Sequence, residues 1–326
     1  MSRRLPVNRP AVFLLFTLWV FLILTVFCYG LAVRTKARIR ATGALMDRMR
    51  ARELAVSGIT LARRMLIEER DGGNLQTVHL NGRWAQPFER RVTYRAPADE
   101  GLLNVRISDE AGRFNLNTLD GELLFFFNWF QDRGLIDSGQ KLAAGILDYR
   151  DPDTAERLVS DVSTERTADG DALKNASLCS PQELSLIPVI DDAGRSLLDE
   201  IATVFGNRRQ INVNTASFEV LEALFDFLET FYGVDPGVYT DIRTIRLGDD
   251  GLEMTEDDRY ILPGFLETWS KAHPEPEKAH RAFETYCTTA GSLFRVVSVA
   301  VAGGVEYRVC AVCDTDSEAI IYWHEE

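Results

Sequence analysis

The chain has 326 residues, which leaves room for a membrane segment plus one large or two small soluble domains. Its formal charge of −13 and pI near 4.9 weigh against a phosphate backbone as partner, so a nucleic-acid-binding function is disfavoured from the start. Of five cysteines, Cys28 lies in an apolar stretch, and the remaining Cys179, Cys287, Cys310 and Cys313 permit disulfides in an oxidising compartment without proving them.

A short basic segment, residues 1–10, opens the chain. Ala11 to Val33 then carries no Lys, Arg, Asp, Glu or His, and it is long enough to cross a hydrocarbon core as a transmembrane helix. A removed signal peptide would have a shorter apolar run and small residues at a cleavage site. No proline interrupts the sequence after the span until Pro87. From Arg34 to about Glu69, Leu45, Met49, Val56, Ile59, Ala62 and Leu66 recur at helical spacing, which predicts that this half of the helix packs on a globular head. Arg3, Arg4 and Arg9 precede the span, while Arg34, Lys36, Arg38 and Arg40 follow it at once. Counted alone, the positive-inside rule favours a cytoplasmic head or gives no answer.

Asp71-Gly72-Gly73-Asn74 predicts the end of the helix. Strands are expected at Leu75–Leu80, Phe88–Tyr94 and Leu102–Ser108, with turns at Asn81-Gly82 and from Pro97 to Gly101. From Asp109 the period becomes helical, with helices expected at Glu122–Gln131, Lys141–Asp148, Gln182–Leu186, Gly194–Phe205, Phe218–Tyr232 and Gly237–Arg246. Ser180-Pro181-Gln182-Glu183 reads as a capping box with proline at the first helical position. Strand patterns return at Leu293–Ala302, Val305–Cys313 and Ala319–Trp323. The order predicts an α+β fold in which an all-helical domain, residues 109–291, is inserted between the first part of a sheet domain, residues 34–108, and its returning strands, residues 292–326. The first returning strand is apolar on much of both faces and belongs near the sheet centre.

The polar constellations divide into structural and ligand-binding readings. Asn212-Val213-Asn214-Thr215-Ala216 resembles the opening of a helix-hairpin-helix repeat, but Glu219, Glu222, Asp226 and Glu229 follow it and would repel phosphate; capping and turn formation are the better reading. Asp148, Asp151 and Asp153 form one acidic cluster, and Asp249, Asp250, Glu253, Asp257 and Asp258 form another on a Gly-containing loop. Clustered carboxylates of this kind can supply calcium ligands, although neither stretch has EF-hand spacing. Cys310 and Cys313, three apart on a strand, should face opposite ways and not share a metal. His79, His273, His280 and His324 are scattered, with no zinc-protease, nucleophile-elbow or phosphate-loop motif, so the sequence favours a non-enzyme without a small-molecule substrate. A membrane-anchored periplasmic enzyme or binding protein is the alternative.

Several ordered motifs resemble one family. They are Asp109-Glu110-Ala111-Gly112-Arg113-Phe114-Asn115-Leu116-Asn117-Thr118-Leu119, Leu147-Asp148-Tyr149-Arg150-Asp151, Lys174-Asn175-Ala176 ahead of Ser180-Pro181-Gln182-Glu183-Leu184, Ile211-Asn212-Val213-Asn214-Thr215-Ala216-Ser217, and the ending Ile321-Tyr322-Trp323-His324-Glu325. Behind a helix of this kind they are similar to the minor pseudopilin K of type II secretion systems. The resemblance implies a pilin-like fold, a place at the tip of the pseudopilus with minor pseudopilins I and J, a periplasmic head anchored in the inner membrane, and calcium in the helical domain. Asp148, Asp151 and Asp153 fall within a motif and are the expected metal ligands. The processing site departs from the prepilin pattern, with Pro10-Ala11 at the usual junction and Leu15 in place of the glutamate. Proline fixes its own φ and restricts Arg9 before it, so cleavage between Pro10 and Ala11 is expected to be slow or absent.

Overall fold

The computed structural model describes residues 9–93, 100–153, 155, 157, 173–272 and 275–326. Arg3, Arg4, Tyr94, Pro97 and His273 lie outside the described residues.

Helix α1, Arg9–Asp71, is one helix of 63 residues. Pro10 sits in its first turn, where a missing N–H breaks no helical bond. The helix stops as predicted: Gly73 takes φ +77°, and the N–H groups of Gly72 and Asn74 close back onto Glu68 O and Glu69 O at 3.0 and 2.9 Å. Residues 75–80 then depart from the expectation of a strand. The Val78 N–H bonds to Thr289 O at 2.8 Å, and a 3₁₀ turn at Arg83–Ala85 buries Trp84. This connection satisfies its backbone against a distant loop, so it has no ladder to join.

Strands β1 (Phe88–Thr93) and β2 (Glu100–Asp109) form an antiparallel pair. The chain then leaves the sheet through β3 (Phe114–Asn115), α2 (Gly121–Asp132), α3 (Gly139–Arg150), α4 (Asp192–Ile201) and β4 (Ala202–Thr203). It continues through β5 (Ile211–Asn212), α5 (Phe218–Tyr232), α6 (Gly237–Leu247), α7 (Pro263–Ala272), α8 (Pro276–Tyr286) and β6 (Cys287–Thr288). Three strands return: β7 (Leu293–Ala302), β8 (Val305–Asp314) and β9 (Ala319–Glu325). The sheet order is β1-β2-β7-β8-β9, antiparallel throughout, with β7 in the centre. Pro181–Leu186 is a 3₁₀ turn and not an α-helix. There the Ser180 side chain caps nothing, while Glu183 reaches back to the Cys179 N–H at 3.1 Å.

Two cores result. Under the sheet, Ala51, Leu54, Ala55, Ile59, Ala62 and Leu66 of α1 pack on Leu103, Val105, Phe294, Val296 and Ala300. Gly58 allows this close approach, since a Cβ there would collide with Ser298 Oγ. The second core lies among the helices, around Phe114, Phe126, Phe130, Tyr149, Leu221 and Leu224. The apolar stripe on α1 differs in part from the predicted one: Leu45 and Met49 are 64% and 68% exposed, and Val56 is only half-buried. At 100° per residue these three lie about 90–130° around α1 from the Ala55–Ala62 line, on its flank. The tight turn at Gly303 rests against Asp47, so the sheet ends there and covers nothing further toward the membrane.

The helical section repeats one pattern twice. A two-residue strand runs into Asn-x-Asn-Thr, then two helices and an acidic loop, and pairs in parallel with a second short strand that follows a helix, β3 with β4 and β5 with β6. In both copies the first Asn accepts the N–H of the second at 3.0 Å, Asn115 from Asn117 and Asn212 from Asn214. The second Asn then grips both backbone groups of one remote residue: Asn117 holds Leu178, and Asn214 holds Ile261. Capping of α5 falls to Ser217, which accepts from the Val220 N–H, so Asn212 and Asn214 fix the turn and its remote contacts and do not cap the helix.

The last strand is clamped to α1. Arg52 binds Glu325 through two hydrogen bonds of 2.7 and 2.8 Å, and Tyr307 and Trp323 donate to the same carboxylate. The Arg52 hydrogen bond, followed by those from Tyr307 and Trp323, pulls the Glu325 carboxyl down to about 2. A depressed carboxyl stabilises the fold above its unfolded pKa of about 4.3, and that contribution is lost as pH falls through the folded value. The pair is solvent-screened, so Glu325→Gln should cost about 0.5–1 kcal/mol near neutral pH. The gap in melting temperature should close between pH 5 and pH 2; a gap that ignores pH would rule out the clamp.

Candidate functional site

Helix α1 presents two surfaces besides the one under its own sheet. Phe13 to Val33 are exposed apolar residues over a length that suits a bilayer. Beyond them Ile39, Leu45, Met46 and Met49 remain exposed, past the apolar span and clear of the sheet. Isolated exposed apolar residues are ordinary, but four within eleven positions of one helix form an apolar patch, a candidate interaction surface.

The second notable site is the joint between sheet and helices. The Glu110 carboxylate, 1% exposed, accepts from Arg295 Nε at 2.6 Å and from Arg113 at 2.9 Å, and Thr203 Oγ1 donates to its other oxygen. Arg295 lies on the central strand and also binds Asp199 at 2.7 Å. Burial works against the charge of both guanidiniums. For Arg113 burial prevails and lowers its pKa, whereas for Arg295 the attraction of Glu110 and Asp199 outweighs it. Next to this network, burial pushes the Asp109 carboxyl up although Thr215, the Ala111 N–H and Asn212 all donate to it. The motif residues Asp109, Glu110, Asn212 and Thr215 therefore join two cores.

Of the expected metal ligands, Asp148 and Asp151 come together and Asp153 does not join them. Asp148, fully buried at the end of α3, accepts from Arg157 Nη1 at 2.7 Å and from the Arg157 N–H at 3.1 Å. Arg157 also pairs with Asp151. Asp153 is exposed and accepts from the Ala155 N–H of its own loop. Among the described residues Asp151 Oδ1 and Asn175 Oδ1 are buried without a hydrogen-bond partner, and Asn175 holds φ +49°. Buried oxygens of this kind are hard donors that suit calcium. Arg157, a counter-charge nine residues from Asp148, was not apparent from the sequence. Among the described residues the tightest carboxylate group is the other cluster, Asp250, Asp257 and Asp258, with ligand atoms within 4.8 Å of one another. Thr255 and the N–H groups of Asp249 and Asp250 hold Asp257 ionised below the usual carboxylate range.

All five cysteines are free thiols. Cys313 belongs to the core under α1, while burial raises the Cys310 thiol near Arg295 on the opposite face, as the strand period requires. His79 stacks on Tyr260 at 3.9 Å, and His280 and His324 pair with Glu284 and Glu326 at 3.2 Å. None of these three histidines hydrogen-bonds a described serine, threonine or cysteine.

Comparison with known proteins bears on these features. Over 265 residues the chain is 29% identical to type II secretion system protein K of Pseudomonas aeruginosa, covering 77% of this chain and 76% of that one. The chain is similar in sequence to type II secretion system protein K. It also matches a chain of the GspK-GspI-GspJ complex from the enterotoxigenic Escherichia coli type 2 secretion system, with a TM-score of 0.53 at 17% identity over 90% of this chain and 99% of the other. No family model matches the sequence. The protein K likeness in fold covers the long helix, the antiparallel sheet and the helices between its strands, the architecture expected from the motif order.

Proposed function

We propose that this chain is a minor pseudopilin at the tip of a type II secretion pseudopilus, with its head in the periplasm, its helix in the inner membrane, and components I and J as its neighbours. It is a structural part, without catalysis, and residues 109–291 form the domain inserted in its pilin-like head. The observation that carries the reading is the double-faced α1. One stripe, Ala51 to Leu66, is covered by the chain's own sheet, and a separate one, Leu45, Met46 and Met49, has no cover. An apolar helix surface outside the lipid calls for another helix, as a filament core provides. Leu45→Glu with Met49→Glu should leave the head's melting temperature within about 1 °C, since exposed substitutions cost little. The same change should abolish copurification with components I and J from membranes. Unaltered copurification would reject the helix-to-helix reading, and turnover of a substrate by the isolated chain would favour an enzyme.

Calcium fits the first acidic cluster through Asp148, Asp151 and Asn175, provided that Arg157 swings away; bound there, the ion would neutralise the paired carboxylates and tie α3 to the loop at Asn175. With free ion at a hundred times its Kd the helical section would gain about 2.7 kcal/mol. A chelator should then lower the melting temperature by several degrees, and Asp148→Asn should erase that difference while Asp257→Asn leaves it. An unchanged transition would reject structural calcium at either cluster.

A further inference from the structure

The basic residues Arg34, Lys36, Arg38 and Arg40 are unexplained by the fold or by the proposed assembly. All four are exposed, and none makes an ion pair with a described residue. No acidic residue occurs in α1 before Asp47, which is already within reach of Arg50 at 3.5 Å. With the head on the exported side, these cations stand where the positive-inside bias disfavours them. They therefore oppose insertion in this orientation and need another reason to be there.

Their arrangement supplies one. At 100° per residue Arg34 and Arg38 share one side of α1, and Lys36 and Arg40 share roughly the opposite side. A partner protein reaches a helix from one side, whereas this charge surrounds it. The collar is about 9 Å tall along the axis, close to the headgroup layer of one leaflet at roughly 5–8 Å. The apolar segment below it, residues 11–33, spans about 34 Å against a hydrocarbon core of about 30 Å, so the collar falls at the phosphate level. We infer that Arg34, Lys36, Arg38 and Arg40 form a binding collar for anionic phospholipid headgroups in the leaflet under the head. Guanidinium forks and an ammonium donate to phosphate oxygens, and each basic residue near an anionic surface strengthens binding by about fivefold. The head is strongly acidic and would be repelled by that surface, so the collar also sets its standoff.

The inference rests on the reading of α1 as a membrane anchor, and one experiment separates the two. The full chain is reconstituted in phosphatidylcholine vesicles that contain a small fraction of spin-labelled phosphatidylglycerol or spin-labelled phosphatidylcholine, and the labelled lipid in contact with protein is measured. The expected result is a three- to fivefold preference for the anionic lipid, which weakens in high salt. R34Q/K36Q/R38Q/R40Q should lower the preference to what Arg3, Arg4 and Arg9 at the other end of the span contribute, and the pairs R34Q/R38Q and K36Q/R40Q should each account for about half of that loss. Equal selection of the two lipids by the wild-type chain would overturn the collar, and so would a preference lost entirely with one pair and kept with the other. Lipid selection unchanged in the quadruple variant, together with lost copurification of components I and J, would assign the charges to an acidic protein partner. A chain that fails to float with the vesicles at all would instead refute the anchor.

Discussion

A chain lacking residues 11–33 is expected to be soluble and folded and to support no secretion. The sheet is covered by Ala51 to Leu66, and the Arg52–Glu325 clamp lies beyond the deletion, so no core contact is lost. The deleted segment is exposed from Phe13 onward and contributes nothing to head stability. What disappears is the membrane hold and the entry of the helix into a filament, and without these no head can be positioned. The measurement pairs a melting curve of the truncated head with complementation of a strain that lacks this component. Export near the wild-type level from the truncated chain would refute the assembly role.

Glu110→Ala should be the most destabilising single change in the head. It would leave Arg295 and Arg113, with side chains 8% and 15% exposed, facing each other without their shared carboxylate. Breaking a buried pair from one side costs about 3–5 kcal/mol, because a desolvated charge remains. Glu110→Leu combined with Arg295→Met and Arg113→Met removes the charges together and should recover most of the loss, since an apolar replacement of a buried pair is often neutral. Denaturant unfolding of the single and triple variants tests this. A single variant within 1 kcal/mol of wild type would show that water reaches the joint.

The parts legible in the sequence were those governed by local rules. Helix α5 runs from Phe218 to Tyr232 as its period predicts, because Ser217 caps one end and Gly233 takes the left-handed conformation at the other. The turn at Gly303-Gly304 and the central place of β7 were equally readable. Helices α7 and α8 were not. The buried face of α8 is Ala279, Ala282, Phe283 and Tyr286 within a charged stretch, so small residues carry half of a weak pattern. The stripe on α1 was misassigned at Leu45 and Met49 because spacing shows that a face is apolar, not what will cover it. Among the acidic residues, sequence placed Asp148 and Asp151 together but not Arg157 against them, since ion pairs across a loop depend on how that loop folds. The repeated Asn-x-Asn-Thr was visible in both copies, yet its meaning as two turns of one pattern came only from Leu178 and Ile261 being held alike.

The pairing of β2 with β7 fixes an order of events during export. The two strands bracket the whole helical section, so β2 has no partner on its β7 side until nearly all of the chain has crossed the membrane. Long-range strand pairing of this kind is slow, while the helical section can complete its core from its own residues, with Leu293, Val312 and Tyr322 excepted. The emerging protein should therefore pass through a state with folded helices, a bare α1 stripe and an open strand edge tethered beside the bilayer. Such a state is prone to pair with other chains. Arrival of β7 and β8 closes the β2 edge and covers the α1 stripe, which makes these two strands the step that commits a subunit to being assembled.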